Sequence, residues 1–539
     1  MSLTLYRNGS VYSAADPLAT AMLVDGDTVA WVGGEHAATS LADGRMEVID
    51  LQGMLITPGF VDSHVHVTET GLALSSLDLR DVPSLAAALE LVAGAARDTG
   101  RGTGALIRGY GWDESGWPEG RGPSPAELDR AAGGREVYLA RVDVHSAAVS
   151  AALAGRLGLA ALDGWQPEGP VLRAAHLAAR AAAGALTEAE RGSYQQRALA
   201  EAASQGYVAV AEMAIPAPGA AEDLRLLMGT SGAAHARTQV LPYWAQAVSS
   251  EAEARSVLAE LGVPVIGLAG DLNMDGSIGS RTAWLREPYA DAPDSSGTAY
   301  LTAGQAGAHL AAATAAGLQG GFHVIGDAGL DAVIEGLRIA ADTAGIAAVR
   351  SAGHRLEHAE MADAGAIAAL AEYSVTVSMQ PVFDALWGGA GSLYARRLGA
   401  GRGAGLNPIA SYFGAGVPVC FGSDAPVTPM RPWSSVRAAL EHHQSRQRIS
   451  ARAAFIGHTR AGWRAARERD PLMGQLVPGA PASFAVWEVE ELMVQVADER
   501  VQSWSTDPRA RTPLLPALDT DTDPRCVRTV HRGQLLYSA

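Results

Sequence analysis

The sequence predicts an α/β protein. It is read as a (β/α)8 TIM-type barrel, with a small β-sandwich domain built from both chain termini and a long insertion after barrel strand 1. Three observations carry this reading. Eight short apolar runs alternate with Ala-rich helical stretches through the middle of the chain. Both ends carry short strands, and those of the first 55 residues bend at Asn-Gly or Asp-Gly. A stretch of about residues 70–204 far exceeds one β/α connection.

In chain order, LTLYRNGSVYS, TAMLVDGDTVAWVGG and RMEVIDLQGMLITPG alternate apolar and polar residues as half-buried strands do. The eight barrel runs are GFVDSHVHV, GYVAVAEM, ARTQVLPYW, VPVIGLAGDLNMDG, GGFHVIGD, GHRLEHAEM, YSVTVSMQP and VPVCFGSDAP. Helices such as AEDLRLLMG, EAEARSVLAELG, AGAHLAAATAAG, LDAVIEGLRIAADTAG and DAGAIAALAEY separate them. ASFAVWEVE, ELMVQVAD and CVRTVHRGQLLYS return to strand texture. The expected division is 1–57 with 470–539 as the composite β-sandwich, and 58–469 as the barrel. The 70–204 insertion, with one further strand in EVYLARVDVH, is expected to lie over the active site. Alternation alone also fits a doubly wound sheet; eight units with chemistry at their C-terminal ends favour the barrel.

The composition is globular, 48 % apolar and 18 % charged. The net charge of −17 argues against nucleic-acid and anionic-membrane partners. Two cysteines make no disulfide framework, and no CxxC metal site exists. No signal-peptide pattern or run of eighteen apolar residues is seen, so a cytoplasmic protein is the expectation. All 41 basic residues are arginine, which reads as a coding bias and leaves no lysine for chemistry.

Histidines and acids recur where the apolar runs end. His64 and His66 stand at i, i+2, which on a strand puts both imidazoles on one face and suits a borderline cation such as zinc. A lone HxH is weak evidence. His323, His358 and Asp424 end three later strands. Singly, each is more often a hydrogen-bonded histidine or a helix cap. Jointly, they would converge at the C-terminal mouth of one barrel.

PGFVDSHVH, strand-end His323 and His358, and GSDAP together resemble the amidohydrolase superfamily of metal-dependent hydrolases. GYGWDESGWPEGRGPSPAELD, RVDVHSAAV, DGSIGSRTAWLREPY, HVIGDAGLDAV, HRLEHAEM and SMQP are similar, more narrowly, to amidohydrolase family 3, which includes N-substituted formamide deformylases. The resemblance covers nearly the whole chain. It implies metal ligands at His64, His66, His323, His358 and Asp424, with Asp424 also the general base toward a metal-activated water. One zinc ion is favoured over two, because the lysine that commonly bridges two metals is replaced by Asp271. Asp271 is too short to span the same positions without backbone movement; Glu212 is a substitute from another direction. Ser150 and Ser483 also depart from the family pattern.

Trp112, Asp113 and His145 resemble substrate-pocket positions, with packed or hydrogen-bonded structural roles at least as frequent. Arg281 suits a substrate carboxylate or a surface ion pair equally. Asp327 and Glu357 either orient metal histidines or cap helices. His442 and His443 read as a solvated face, and His36, His176, His235, His309, His458 and His531 carry little weight.

The leading reading is a hydrolase of a non-peptide C–N bond in a small amide or N-substituted formamide. The alternatives are a mononuclear deaminase of an amino-heterocycle and a non-catalytic binding or regulatory protein on a hydrolase scaffold. The deaminase reading is weakened because Val324, Ile325 and Gly326, not an acid, follow His323. The expected partner is a small-molecule substrate. A homodimer is compatible with the family, though no interface signal is visible in the sequence.

Overall fold

The computed structural model describes residues 3–98, 106–495, 504–505, 513–520 and 522–539. Residues 99–105 of the insertion and the end of ELMVQVAD lie outside these. Eight parallel strands form one sheet: β1 (Phe60–Val65), β2 (Tyr207–Ala214), β3 (Gln239–Trp244), β4 (Gly267–Leu268), β5 (Gln319–Val324), β6 (Arg355–His358), β7 (Thr376–Met379) and β8 (Val419–Phe421). They pair in sequence order, as right-handed β/α repeats dictate. The barrel closes between β8 and β1: Asp424 N–H donates to His64 O (2.9 Å) and His66 N–H to Ala425 O (2.9 Å). All eight expected runs are barrel strands, and the doubly wound alternative is excluded by this closure.

Two apolar layers hold the barrel. Phe322, Val324, Leu356, Val377 and Phe421 pack outward with the helices Ala303–Ala315, Asp327–Ala344 and Ala364–Glu372. Val61, Ala211, Met213, Leu241, Tyr243 and Ala269 form a second cluster. Thr302 caps the first of these helices in a reciprocal box with Gln305, and Asp363 caps the third through Ala366 N–H.

Among the described residues the chain ends build three sheets, one of them a small sheet of Leu492–Gln495 with Trp504–Ser505 and Leu515–Pro516. Leu3–Arg7, Ala21–Asp25, Thr28–Gly33 and Glu47–Asp50 form the second; the third interleaves Ser10–Val11 and Leu55–Pro58 with Phe484–Glu488, Arg525–His531 and Gln534–Ser538. Tyr6 and Phe484 meet edge-on between the second and third at 5.2 Å. Ser483 bonds the His531 ring (3.1 Å) and serves this domain. The insertion differs from expectation. It holds a four-stranded sheet (Leu77–Asp78, Ile107–Trp112, Val137–Arg141, Ala147–Val149) rather than one strand, because glycines and short lengths hide the others' periodicity. Among the described residues no helix is long and apolar enough to cross a membrane.

His458 shows the acid cost of this core. It is fully buried between Phe60 and Phe421, bonds Ser435 Oγ (2.8 Å), and burial lowers its pKa to about 3. The unfolded chain takes up that proton near pH 6.5 and the folded chain does not. Stability is therefore lost as pH falls from about 6.5 toward 3, by about 1.4 kcal/mol per pH unit for this one proton. Relative to His458→Gln, the wild type is expected to lose about 1 kcal/mol between pH 6.5 and 5.5, where the unfolded imidazole is still part-titrated, read from denaturant melts. An unchanged gap would mean the imidazole charges in place.

Candidate metal centre and active site

The C-terminal ends of the barrel strands place the candidate ligands around one point. His64 Nε2 lies 3.4 Å from Asp271 Oδ1 and 3.4 Å from Asp424 Oδ1. His66 Nε2 lies 3.0 Å from Asp271 Oδ2 and 3.6 Å from Asp424 Oδ1. Ligand atoms of His64, His66 and Asp424 all fall within 4.8 Å of one another, and so do those of His64, Asp271 and His358. His323 stands beside this set, its ring 4.6 Å from that of His358.

Local backbone explains the convergence. Gly422 lies so close to β1 that a Cβ there would sit 2.6 Å from His64 N, which lets β8 press against the HxH segment. His358 (φ 69°), the last residue of β6, and Asp424 (φ 56°), three residues past β8, turn into the left-handed region, a costly conformation for histidine that tertiary contacts must hold. Asp271 lies against both histidines of the HxH segment. β4 ends at Leu268, the chain turns at Gly270 (φ 86°) and rejoins the sheet only at Asn273, and this excursion carries the carboxylate to both histidines. Glu212 is not drawn in: its Oε2 accepts from Val67 N–H (2.6 Å), and among the described residues it joins no ligand group.

Hydrogen bonds fix the imidazoles. His64 Nδ1–H donates to Glu357 Oε2 (2.9 Å), and Arg355 holds that carboxylate by donating Nε–H to Oε1 (2.6 Å) and Nη2–H to Oε2 (2.9 Å). His358 Nδ1–H donates to Gln380 Oε1 (2.7 Å). Each leaves Nε2 with its lone pair toward the centre. Gln380 went unassigned in the sequence, although it stands in the SMQP segment. Glu357 orients His64 across the barrel, not its neighbour, and Asp327 orients no histidine; it accepts from Arg286 N–H (2.9 Å).

The residues fit a divalent cation. His64 Nε2 and Asp271 Oδ1 are buried without hydrogen-bond partners, and the set mixes imidazole nitrogen with carboxylate oxygen. Burial opposes charge on His64, but Asp424 and Asp271 hold its pKa well above the usual range. Burial and the adjacent His64 lower His358 to about 4, leaving it neutral. Burial raises Asp424 to about 7, against the pull of His64 and His66. Asp384, His442 and His443 form a second group, but His442 accepts Gln444 N–H at Nδ1 and donates Nε2–H to Asn407 O, so neither nitrogen is free. His442 is buried rather than on a solvated face.

Of the four expected pocket residues, one lines the cavity beside the centre. That tight cavity, about 30 Å³, is walled by His145, His323, His358, Glu360, Phe383 and Asp424, among others. Trp112 is buried elsewhere and donates Nε1–H to Leu139 O (2.8 Å). Asp113 pairs with Arg141 (3.0 Å) and Arg281 with Asp291 (2.8 Å), so both are structural ion pairs. Ser150 caps the helix Ala151–Leu157 through Leu153 N–H. Asp143 accepts from Ser277 and Ser280 hydroxyls (2.7 and 2.8 Å), which ties the insertion to the DGSIGSR loop and sets His145 beside His323, ring to ring at 5.1 Å.

The chain belongs to the amidohydrolase family, whose model matches residues 47–537, and it is a metal-dependent amidohydrolase. It is 27 % identical over 518 residues to protein LONG AFTER FAR-RED 3 of Arabidopsis thaliana, covering 89 % of this chain and 86 % of that one. It is 29 % identical over 161 residues to the N-substituted formamide deformylase of Arthrobacter pascens, covering 30 % of this chain and 29 % of that one. A solved metal-dependent hydrolase of uncharacterised function from Pyrococcus furiosus superposes with a TM-score of 0.69 at 26 % identity, covering 90 % of this chain and 98 % of that one.

Proposed function

We propose that the protein hydrolyses the C–N bond of a small non-peptide amide, such as an N-substituted formamide, at one divalent ion, zinc being the ion expected. The observation that carries this reading is the position of Asp424, within 3.6 Å of both HxH histidines and on the wall of the cavity. His64, His66, His358, Asp271 and Asp424 would hold the ion, with His323 beside them. Bound there, a divalent cation polarises an amide carbonyl and acidifies water. Asp424, beside both HxH histidines, takes a proton from the attacking water as its oxygen adds to the carbonyl carbon. It returns that proton to the nitrogen as the C–N bond breaks, giving one acid and one amine. His145, kept neutral by burial, is positioned to donate a hydrogen bond to the carbonyl oxygen.

His64 supports the single-ion reading. Its Nδ1–H is committed to Glu357, so one lone pair remains, and both ligand groups share it. A second reading, deamination of an amino-heterocycle, is favoured by one observation: Glu360 brings a buried carboxyl, raised to about 7 by burial, into the same cavity. The zinc-loaded protein is expected to release amine from a panel of small N-alkyl amides. Ammonia from a purine or pyrimidine with no amide turnover would transfer the assignment to the deaminase.

A further inference from the structure

One guanidinium holds His64 by its ring and by its backbone. Arg355 and Glu357 stand at i, i+2 on β6, so their side chains leave the same face of the strand. Leu356 between them packs outward, which turns that face to the barrel interior. Arg355 is buried there, with its guanidinium 4.5 Å from the centre of the Tyr243 ring on β3. Its Nη2 donates to Glu357 Oε2 (2.9 Å) and to Ser63 O (2.8 Å). Glu357 Oε2 is the oxygen that receives the His64 ring N–H. Ser63 O belongs to the peptide bond that leads into His64. Ring and backbone of this one ligand are therefore tied to the same arginine, from across the barrel.

An arginine is a costly side chain for such a position. It cannot lose its charge, and Tyr243 belongs to an inner cluster that is otherwise apolar, with Val61, Leu241 and Ala269. Replacing a buried ion pair by well-packed apolar residues is often neutral or stabilising. What an apolar residue cannot do is fix a carboxylate on β6 and a carbonyl on β1 at once, as a planar fork of donors does. His64 also belongs to both ligand groups of the centre, so its aim bears on either arrangement of the ion.

We propose that Arg355 is the positioning residue of the metal centre: its fork fixes Glu357 and the Ser63 carbonyl together and so aims His64 Nε2 at the ion. This rests on the metal-centre reading above. It goes beyond that reading by assigning ion affinity to a residue that touches none of the candidate ligands' nitrogen or oxygen donors.

The test reads zinc affinity by competition with a chelator, so it needs no turnover. Arg355→Lys keeps the charge but replaces the fork by one ammonium, and is expected to bind zinc at least about tenfold more weakly. Arg355→Gln, which cannot reach both acceptors, carries the same expectation should the lysine variant not fold. Glu357→Gln breaks the link at its other end, because its NH2 group must face either the Arg355 donors or the His64 N–H. The loss is expected to be of similar size. Since both residues act through one link, Arg355→Lys with Glu357→Gln is expected to bind zinc within about threefold of the weaker single variant. Visible absorption of the cobalt-loaded protein, which reports ligand geometry, is expected to change in each. Leu241→Ala lowers the melting temperature from within the same inner cluster and is expected to leave both readouts as in the wild type. Folded Arg355→Lys with wild-type zinc affinity would overturn the proposal. So would a double variant as weak as the two single losses multiplied, or an equal loss in Leu241→Ala. Wild-type protein that binds no zinc would remove the metal centre itself, whereas zinc binding without amide turnover would remove only the amide reading.

Discussion

Asp424→Asn is expected to lower amide turnover by about 10³-fold or more, while the fold and most bound metal persist. General-base catalysis contributes about 10²–10⁴-fold, and 10³-fold corresponds to about 4 kcal/mol of barrier. Asparagine is the informative replacement for three reasons. It keeps an oxygen toward His64 and His66, 3.4 and 3.6 Å away in the wild type. It tolerates the left-handed backbone at φ 56°. It removes the proton acceptor and little else. Steady-state kinetics give the effect, with metal content and a thermal melt as companions. Activity within tenfold of wild type would remove Asp424 from the proton-transfer role; loss of metal in parallel would make it chiefly a ligand.

The second large effect concerns Asp271. Wild-type protein is expected to retain about one ion per chain after dialysis, and Asp271→Asn to bind it at least about 100-fold more weakly. Outer hydrogen-bond partners of metal ligands already alter affinity by about 10–100-fold, and Asp271 is closer than that: its two oxygens face His64 and His66 at 3.4 and 3.0 Å. The imidazoles of His64 and His66, outweighing burial, hold its carboxyl well below the usual range, so it stays a charged donor. Plasma emission spectrometry on dialysed protein and competition with a chelator measure both quantities. Two retained ions in the wild type would make Asp271 a bridge and refute the single-ion reading.

Much of the fold was legible because its signals are local. The eight apolar runs became the eight strands, since a strand buried on both faces needs a near-continuous apolar run. HxH was legible because two residues on one strand end share their neighbourhood whatever the fold. The insertion's sheet was less so: Ala147–Val149 and Leu77–Asp78 are too short to show a period. Trp112 and Arg281 were misleading for a related reason. An indole or a guanidinium looks the same in a sequence whether it meets a ligand or, as here, Leu139 O and Asp291.

The sequence by itself determined the barrel, the family and the histidine and aspartate types that suit a borderline metal, because hydrophobic periodicity and donor chemistry belong to individual residues. Only the tertiary structure decided which of those groups come together. Asp271 reaches the histidines because β4 stops early, Glu357 fixes His64 from the far side of the barrel, and Glu212 is spent on Val67 N–H. These pairs lie 145 to 293 residues apart, and barrel closure, not local pattern, sets the distances between them.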